Sequence, residues 1–366
     1  MINLDFMPSR RLSFYMIKLF LTRSLAVLIA LVLILMTLDL LGESGKILAV
    51  PGNGDPELWQ YVALRLPLLI SRFLPFAVLL GTLIAFVGLN QHSEVVAMKA
   101  AGLSAHQILT PLILASLGIA AALFAFNETV VVRAGTTVTA WSDNDYRPIP
   151  PDSGMLSNVW LLDGEDLVRA GLVLGRGSAL RAERLLIYDR DNNVLQRVIS
   201  ADRAAPRPGG GWRLEGVRIY DADMNVERRL PRLDALAGVT PGELTLAKVD
   251  PAQLDYTTLK QRIDQLSSAG RPTDEARAGL AHKIAGPLST LLMPLLAAVA
   301  AFGLARSGQV LMRAALGMAL GFAYFVADNF SLAMGNAGAY PPLIAAWAPF
   351  VLFLLIGETV LVRTEE

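Results

Sequence analysis

Arg65 and Arg72 are the residues of this sequence best placed to do chemistry, because both stand inside a long apolar run, from Leu58 to Leu89. At i and i+7 they share one helix face, two turns apart, with Pro67 and Pro75 close by. An ionisable group at membrane depth is costly unless it meets a cavity, a partner or the headgroup layer. The chemistry that fits is capture of an anionic amphiphile by two cations lining a cavity. The alternative has Arg65 snorkelling to the interface while Arg72 pairs internally with Asp39 or Asp328. Asp39 and Glu43 lie at i and i+4 and repel unless a cation intervenes. Lys46, read as part of an outer loop beside Gly45, is the nearest one. Glu128 and Arg133 follow the third apolar run, and Asp328 with Asn329 lies late in the fifth. Arg65 and Arg72 are therefore the candidates for the amphiphile, and Asp39, Lys46 and Arg133 are further candidate polar groups at that level.

Other chemistries lack their residues. There is no cysteine, which excludes disulfides, thiolate metal sites and cysteine nucleophiles. The three histidines, His92, His106 and His282, are not at ligand spacing, so no metal and no cofactor is expected. The nearest approach to a phosphate-binding loop, Gly42-Glu43-Ser44-Gly45-Lys46, is too short and lacks the hydroxyl residue after Lys. No GxSxG is present. Lys plus Arg equal Asp plus Glu at 32 each, which argues against a protein held to nucleic acid by bulk charge. The sequence predicts a permease, receptor or scaffold and no enzyme.

The elements that position these residues follow from the apolar distribution. Of 366 residues, 54% are hydrophobic and 17% charged, against about 25% charged in a soluble domain. Runs at Phe14 to Leu41, Leu58 to Leu89, Ile108 to Phe126, Leu280 to Leu304, Val310 to Phe330 and Leu343 to Val362 are each near or above the roughly 20 residues that cross a bilayer. The first is too long for a cleaved leader and is followed by no small-residue cleavage site. Arg10, Arg11, Lys18, Arg23, Lys99, Arg306, Arg313 and Arg363 all fall on one side, which the positive-inside bias makes cytoplasmic together with both termini.

Residues 131–276 have the composition of a soluble domain, placed outside the membrane, between halves 1–130 and 277–366. Val159 to Leu162, Leu185 to Tyr188, Val194 to Ala201 and Trp212 to Tyr220 read as strands separated by turn formers such as Asp163-Gly164 and Asp191-Asn192-Asn193, with Gly216 as a possible bulge. An antiparallel sandwich or jelly roll is the expected class. Leu254, Leu259, Ile263 and Leu266 then recur at near-helical spacing, predicting a short helix back to the membrane.

Between the second and third runs, residues 93–102 predict a short cytoplasmic helix, with Ser93 as N-cap and Gly102 as its stop. Val95, Val96, Ala97 and Met98 give it an apolar face with no partner in this chain, suited to a cleft on another protein. The competing reading, a helix lying on lipid, is weakened by its single cation, Lys99.

Residues 90–102, Asn-Gln-His-Ser-Glu-Val-Val-Ala-Met-Lys-Ala-Ala-Gly, together with His282-Lys283-Ile284-Ala285-Gly286-Pro287-Leu288-Ser289, Tyr324 to Asn329 and the prolines 341, 342 and 349, resemble the YjgP/YjgQ permeases of lipopolysaccharide export, in their LptG-like branch. The resemblance implies six transmembrane helices (3+3) around an inserted periplasmic antiparallel β jelly-roll domain in an inner-membrane ABC transporter permease. It implies as partners a paralogous LptF-like permease, a cytoplasmic LptB-like ABC ATPase dimer, a single-span periplasmic LptC-like protein and the lipopolysaccharide itself. It assigns ATPase coupling to the short helix, here Glu94, Val95, Met98 and Lys99. The family's basic residues after the Asp that ends the first span are replaced here by Gly42 and Glu43, which shifts the expected phosphate contact to Lys46, Arg65 or Arg133.

Overall fold

A hydrocarbon layer offers no hydrogen-bond partners, so each long apolar run must satisfy its own backbone, and helices do this. In the computed structural model, which describes residues 8–148, 156–175, 180–192, 194–221, 225–246, 250–268, 270–302 and 310–363, six helices are long and apolar enough to cross a membrane. They are α1 (Arg10–Leu48), α2 (Asp55–Gln91), α4 (Ala105–Phe126) and, after the insert, α8 (Asp274–Phe302), α9 (Val310–Asn336) and α10 (Pro342–Arg363). A short helix, α3 (Glu94–Ala100), joins α2 to α4. The third span does not stop at Phe126: a π-helical turn, Asn127–Val131, carries it into α5 (Val132–Asp143). Arg306 of the expected basic loop lies outside the described residues.

The chain forms two units. The first comprises Met1–Gly42, Val62–Ala134 and Pro251–Glu366. Its core joins Phe20, Phe86, Leu109, Leu292 and Leu296, all buried. The most apolar stretch of α8 is 67% buried and that of α1 only 11%, so α8 is the packed centre while α1 presents its apolar surface to lipid or to another chain. In α7 (Tyr256–Ser268), Leu259, Ile263 and Leu266 form the buried stripe that their spacing predicts.

The second unit comprises Glu43–Tyr61 and Gly135–Asp250. Six antiparallel strands, β1 (Leu156–Asp163), β2 (Asp166–Leu174), β3 (Arg181–Asp191), β4 (Val194–Pro206), β5 (Trp212–Asp221) and β6 (Val226–Ala235), pair in sequence order as a meander, so no crossover connection occurs among the described strands. One face buries Val159, Val168, Leu185, Ile187, Ile199, Val217 and Ile219 under Leu236, Val239 and Leu244, the last from α6 (Pro241–Leu246). Trp212 is buried there and donates from Nε1 to the Val239 carbonyl at 2.9 Å. The sequence reading missed β2 and β6. β6 is rich in arginine and contains Pro231, both suited to an edge strand and neither a mark of a buried one.

Gly216 is not a bulge. The β4–β5 register runs through it unshifted, and the irregularities fall at Asp189/Arg190 and Ile219/Tyr220. Gly216 has φ +68°, a left-handed conformation that favours glycine, and the Asp202 carboxylate would have to move aside for a Cβ there.

Candidate functional site

Polar groups collect in the first unit near the end of the spans from which the insert leaves. Arg65 of α2 forms a two-pronged ion pair with Asp39 of α1, Nε to Oδ2 at 2.8 Å and Nη2 to Oδ1 at 3.1 Å. It is Arg65, not Arg72, that takes Asp39, and Asp328 is bound instead to His282 Nε2 at 3.0 Å. The internal pairing expected of Arg72 is therefore not formed with either aspartate. The Arg65 and Asp39 side chains retain 34% and 23% of their exposure, so the pair is only partly shielded from its surroundings.

Lys46 differs from its expected setting. It is helical, in the last turn of α1, and its Nζ pairs with Glu43 at 2.8 Å. Glu43 also accepts from the Tyr146 hydroxyl at 2.8 Å. Asn53 ties the α1–α2 connection down by donating to the carbonyls of Ile47 and Tyr146 at 3.0 and 2.9 Å. The flexible loop reading is thus corrected: hydrogen bonds fix the backbone here, and the Lys46 side chain, although 67% exposed, is paired with Glu43. Arg133 is exposed in the first turn of α5.

Two adjacent residues of α8 reach in two directions. His282 bonds Asp328 of α9, and Lys283 Nζ bonds Glu128 Oε1 in the π-helical turn at 2.8 Å. The Lys283 and Glu128 side chains are only 12% and 15% exposed. The sequence reading missed this pairing. A lysine within an apolar span needs a counter-ion, and Glu128 was the unassigned carboxylate at the same end, so the signal was present.

At the opposite end of the spans, Glu94 opens α3 and its carboxylate accepts from the Tyr15 hydroxyl of α1 at 3.0 and 3.2 Å. Ser93 precedes α3 in a left-handed conformation and makes no side-chain cap, whereas Ser104 forms a full capping box with Gln107 at the start of α4. The expected unpartnered apolar face of α3 is corrected. Val95 and Met98 are buried in the first unit's core, at 4% and 8% exposure, because i and i+3 point the same way. What α3 presents outward is Val96, 64% exposed, with Ala97, Lys99 and Ala100. His106 Nε2 and Glu358 of α10 lie 3.2 Å apart near the same end, a link no sequence spacing announces.

In the second unit a cleft of about 490 Å³ opens on the other face of the sheet, with Arg169, Arg184, Arg218, Asp143, Asp145 and Asp202 among its walls. Arg184 pairs with Asp145 at 3.1 Å and Arg218 with Asp202 at 2.7 Å, so its charges largely satisfy one another. Asp202 raises the Arg218 pKa above its ordinary value through that hydrogen bond. Among the described residues no group of three or more His, Asp or Glu is arranged to hold a metal ion.

Residues 14–363 match the lipopolysaccharide export system permease family LptF/LptG. The chain belongs to this family. Among its curated relatives, the lipopolysaccharide export system permease protein LptG of Escherichia coli (strain K12) is 26% identical over 314 residues, covering 83% of this chain and 85% of the relative. The LptG protein of Haemophilus influenzae (strain ATCC 51907 / DSM 11121 / KW20 / Rd) is 24% identical over 324 residues, covering 86% and 89%. Membership accounts for the architecture of six apolar helices with an antiparallel sheet inserted between the third and fourth, and it makes the chain a transport permease.

Proposed function

We propose that this chain is the LptG-type subunit of an inner-membrane ABC transporter that lifts lipopolysaccharide from the outer leaflet and passes it toward a periplasmic β-jelly-roll bridge. The observation that carries the reading is a family match over residues 14–363, joined by relatives named LptG along most of both chains. The subunit pairs with an LptF-like permease and an LptC-like single-span protein, and ATP is hydrolysed by an LptB-like dimer seated on α3. Both termini are cytoplasmic, residues 131–276 form the periplasmic insert, and residues 1–130 and 277–366 form the two membrane halves. Glu94 and Lys99 meet the ATPase, with Val95 and Met98 holding their helix in place. Arg65, held by Asp39, and the exposed Lys46 and Arg133 meet the lipid's negative groups, and Arg72 lines the membrane cavity.

Purification of the tagged chain in mild detergent tests the assembly. The expected complex holds a second, different permease, an ATPase chain and a single-span protein, and depletion of the chain traps lipopolysaccharide in the inner membrane. Recovery of the chain alone or as a homodimer, with normal surface lipopolysaccharide after depletion, refutes the proposal.

A further inference from the structure

Glu128 stands where three pieces of the first unit meet. It lies in the π-helical turn Asn127–Val131, and α5, on which the chain passes out of the first unit, begins at the next residue. The chain returns at Pro251, and five residues later the backbone N–H of Tyr256, the first residue of α7, donates to Glu128 Oε2. The other oxygen of the same carboxylate takes Lys283 of α8, whose neighbour His282 holds Asp328 of α9. The return point is pinned a second time. A Cβ on Gly279 of α8 would clash with the Pro251 ring, so only glycine lets that segment seat on α8.

This arrangement is more than an ion pair. A π turn is rare, inserts an extra residue into a helix and is concentrated at functional positions. Here it sits where its carboxylate bonds both the returning strand of chain and the packed central span. Of the places where the chain crosses between the two units, the crossing that follows Val132 and the one at Pro251 both lie close in sequence to groups that this one carboxylate holds or adjoins. Asp255 caps the same α7 turn through the Thr258 N–H at 2.9 Å, leaving the Tyr256 N–H to Glu128.

We propose that Glu128 is a positioning residue that joins the chain segments leading into and out of the inserted domain to span four, so that movement of the domain and rearrangement of that span occur together during lipid extraction. The proposal rests on the transport reading above. It assigns Glu128 no contact with lipid or with the ATPase; Glu128 acts through Lys283 and the Tyr256 N–H.

The test uses the complete complex in vesicles containing lipopolysaccharide. The reciprocal variant Glu128→Lys with Lys283→Glu restores the ion pair but leaves the Tyr256 N–H without an acceptor at position 128, whereas Glu128→Gln keeps an acceptor there without the charge. The reciprocal variant is expected to assemble and to hydrolyse ATP without lipid within twofold of the native complex, while lipid extraction falls at least fivefold. Spin labels on cysteines replacing the exposed Thr129 and Lys260 should give a broader distance distribution in that variant. Glu128→Gln should retain more than half of native extraction and the narrow distribution. Extraction within twofold of native by the reciprocal variant overturns the proposal, as does Glu128→Gln extracting no better than one fifth of native, because the acceptor for the Tyr256 N–H is then not what extraction requires. Absence of extraction by the native complex would instead sink the transport reading.

Discussion

The burial pattern of α3 separates two roles that its sequence merges. Met98 and Val95 face inward at 8% and 4% exposure, while Val96, between them in sequence, is 64% exposed. Met98→Ala removes a buried side chain and should cost about 2 to 5 kcal/mol, toward the low end because α3 is short and can settle. Val96→Asp removes little that the isolated subunit buries, so its stability should stay within about 0.5 kcal/mol. Docking is a different matter. Full burial of a valine is worth about 1.5 to 3 kcal/mol, and the 64% still exposed corresponds to roughly 1 to 2 kcal/mol, or about a 5- to 25-fold loss of ATPase affinity. A carboxylate at an apolar contact adds its own desolvation, so the loss for Val96→Asp should exceed that range. Melting of the detergent-solubilised subunit, followed beside retention of the ATPase on an affinity column, reads both quantities. Met98→Ala should lower melting and Val96→Asp should leave it alone while releasing the ATPase. If Val96→Asp retains the ATPase while Met98→Ala releases it without lowered melting, the inward and outward faces of α3 are assigned the wrong way round.

Three further outcomes are expected. In this Cys-free chain a cysteine at the exposed Gln196 should react with a membrane-impermeant thiol reagent added to the periplasm, and one at His92 should react only after the membrane is opened; the reverse pattern inverts the topology. Photo-crosslinkers at positions 46, 65 and 133 should capture lipopolysaccharide, and capture only at positions within α1 and α9 would show recognition by acyl chains without these cations. Asp255 is held well below the ordinary carboxylate range by the Thr257 hydroxyl, then the Thr258 N–H and hydroxyl. A carboxyl lowered in the folded state stabilises above its unfolded pKa of about 3.9 and loses that contribution as pH falls through the folded value. Asp255→Ala should therefore weaken protection of α7 amides by about 0.5 to 2 kcal/mol at neutral pH, and hydrogen exchange showing the same protection in both proteins would refute the cap.

The sequence by itself determined the membrane helices, because a run of some 20 apolar residues has one low-energy arrangement in hydrocarbon and needs no partner to specify it. It also determined four strands and the return helix, whose periods of 2 and 3.6 are local properties, and the short helix at Glu94. The motifs after span two and at the start of span four carried the family. Tertiary structure decided the rest. Whether Asp39 takes Arg65 or Arg72, whether Lys283 finds Glu128 across 155 residues, and whether Val95 faces a partner or its own core all depend on helix rotation and packing, on which residue types at given spacings are silent. Edge strand β6 escaped because an exposed strand lacks the apolar alternation that marks a buried one. The π turn escaped for the same kind of reason. A single inserted residue leaves composition unchanged, and what gives Glu128 its place is the three-dimensional meeting of α7, α8 and the end of span three.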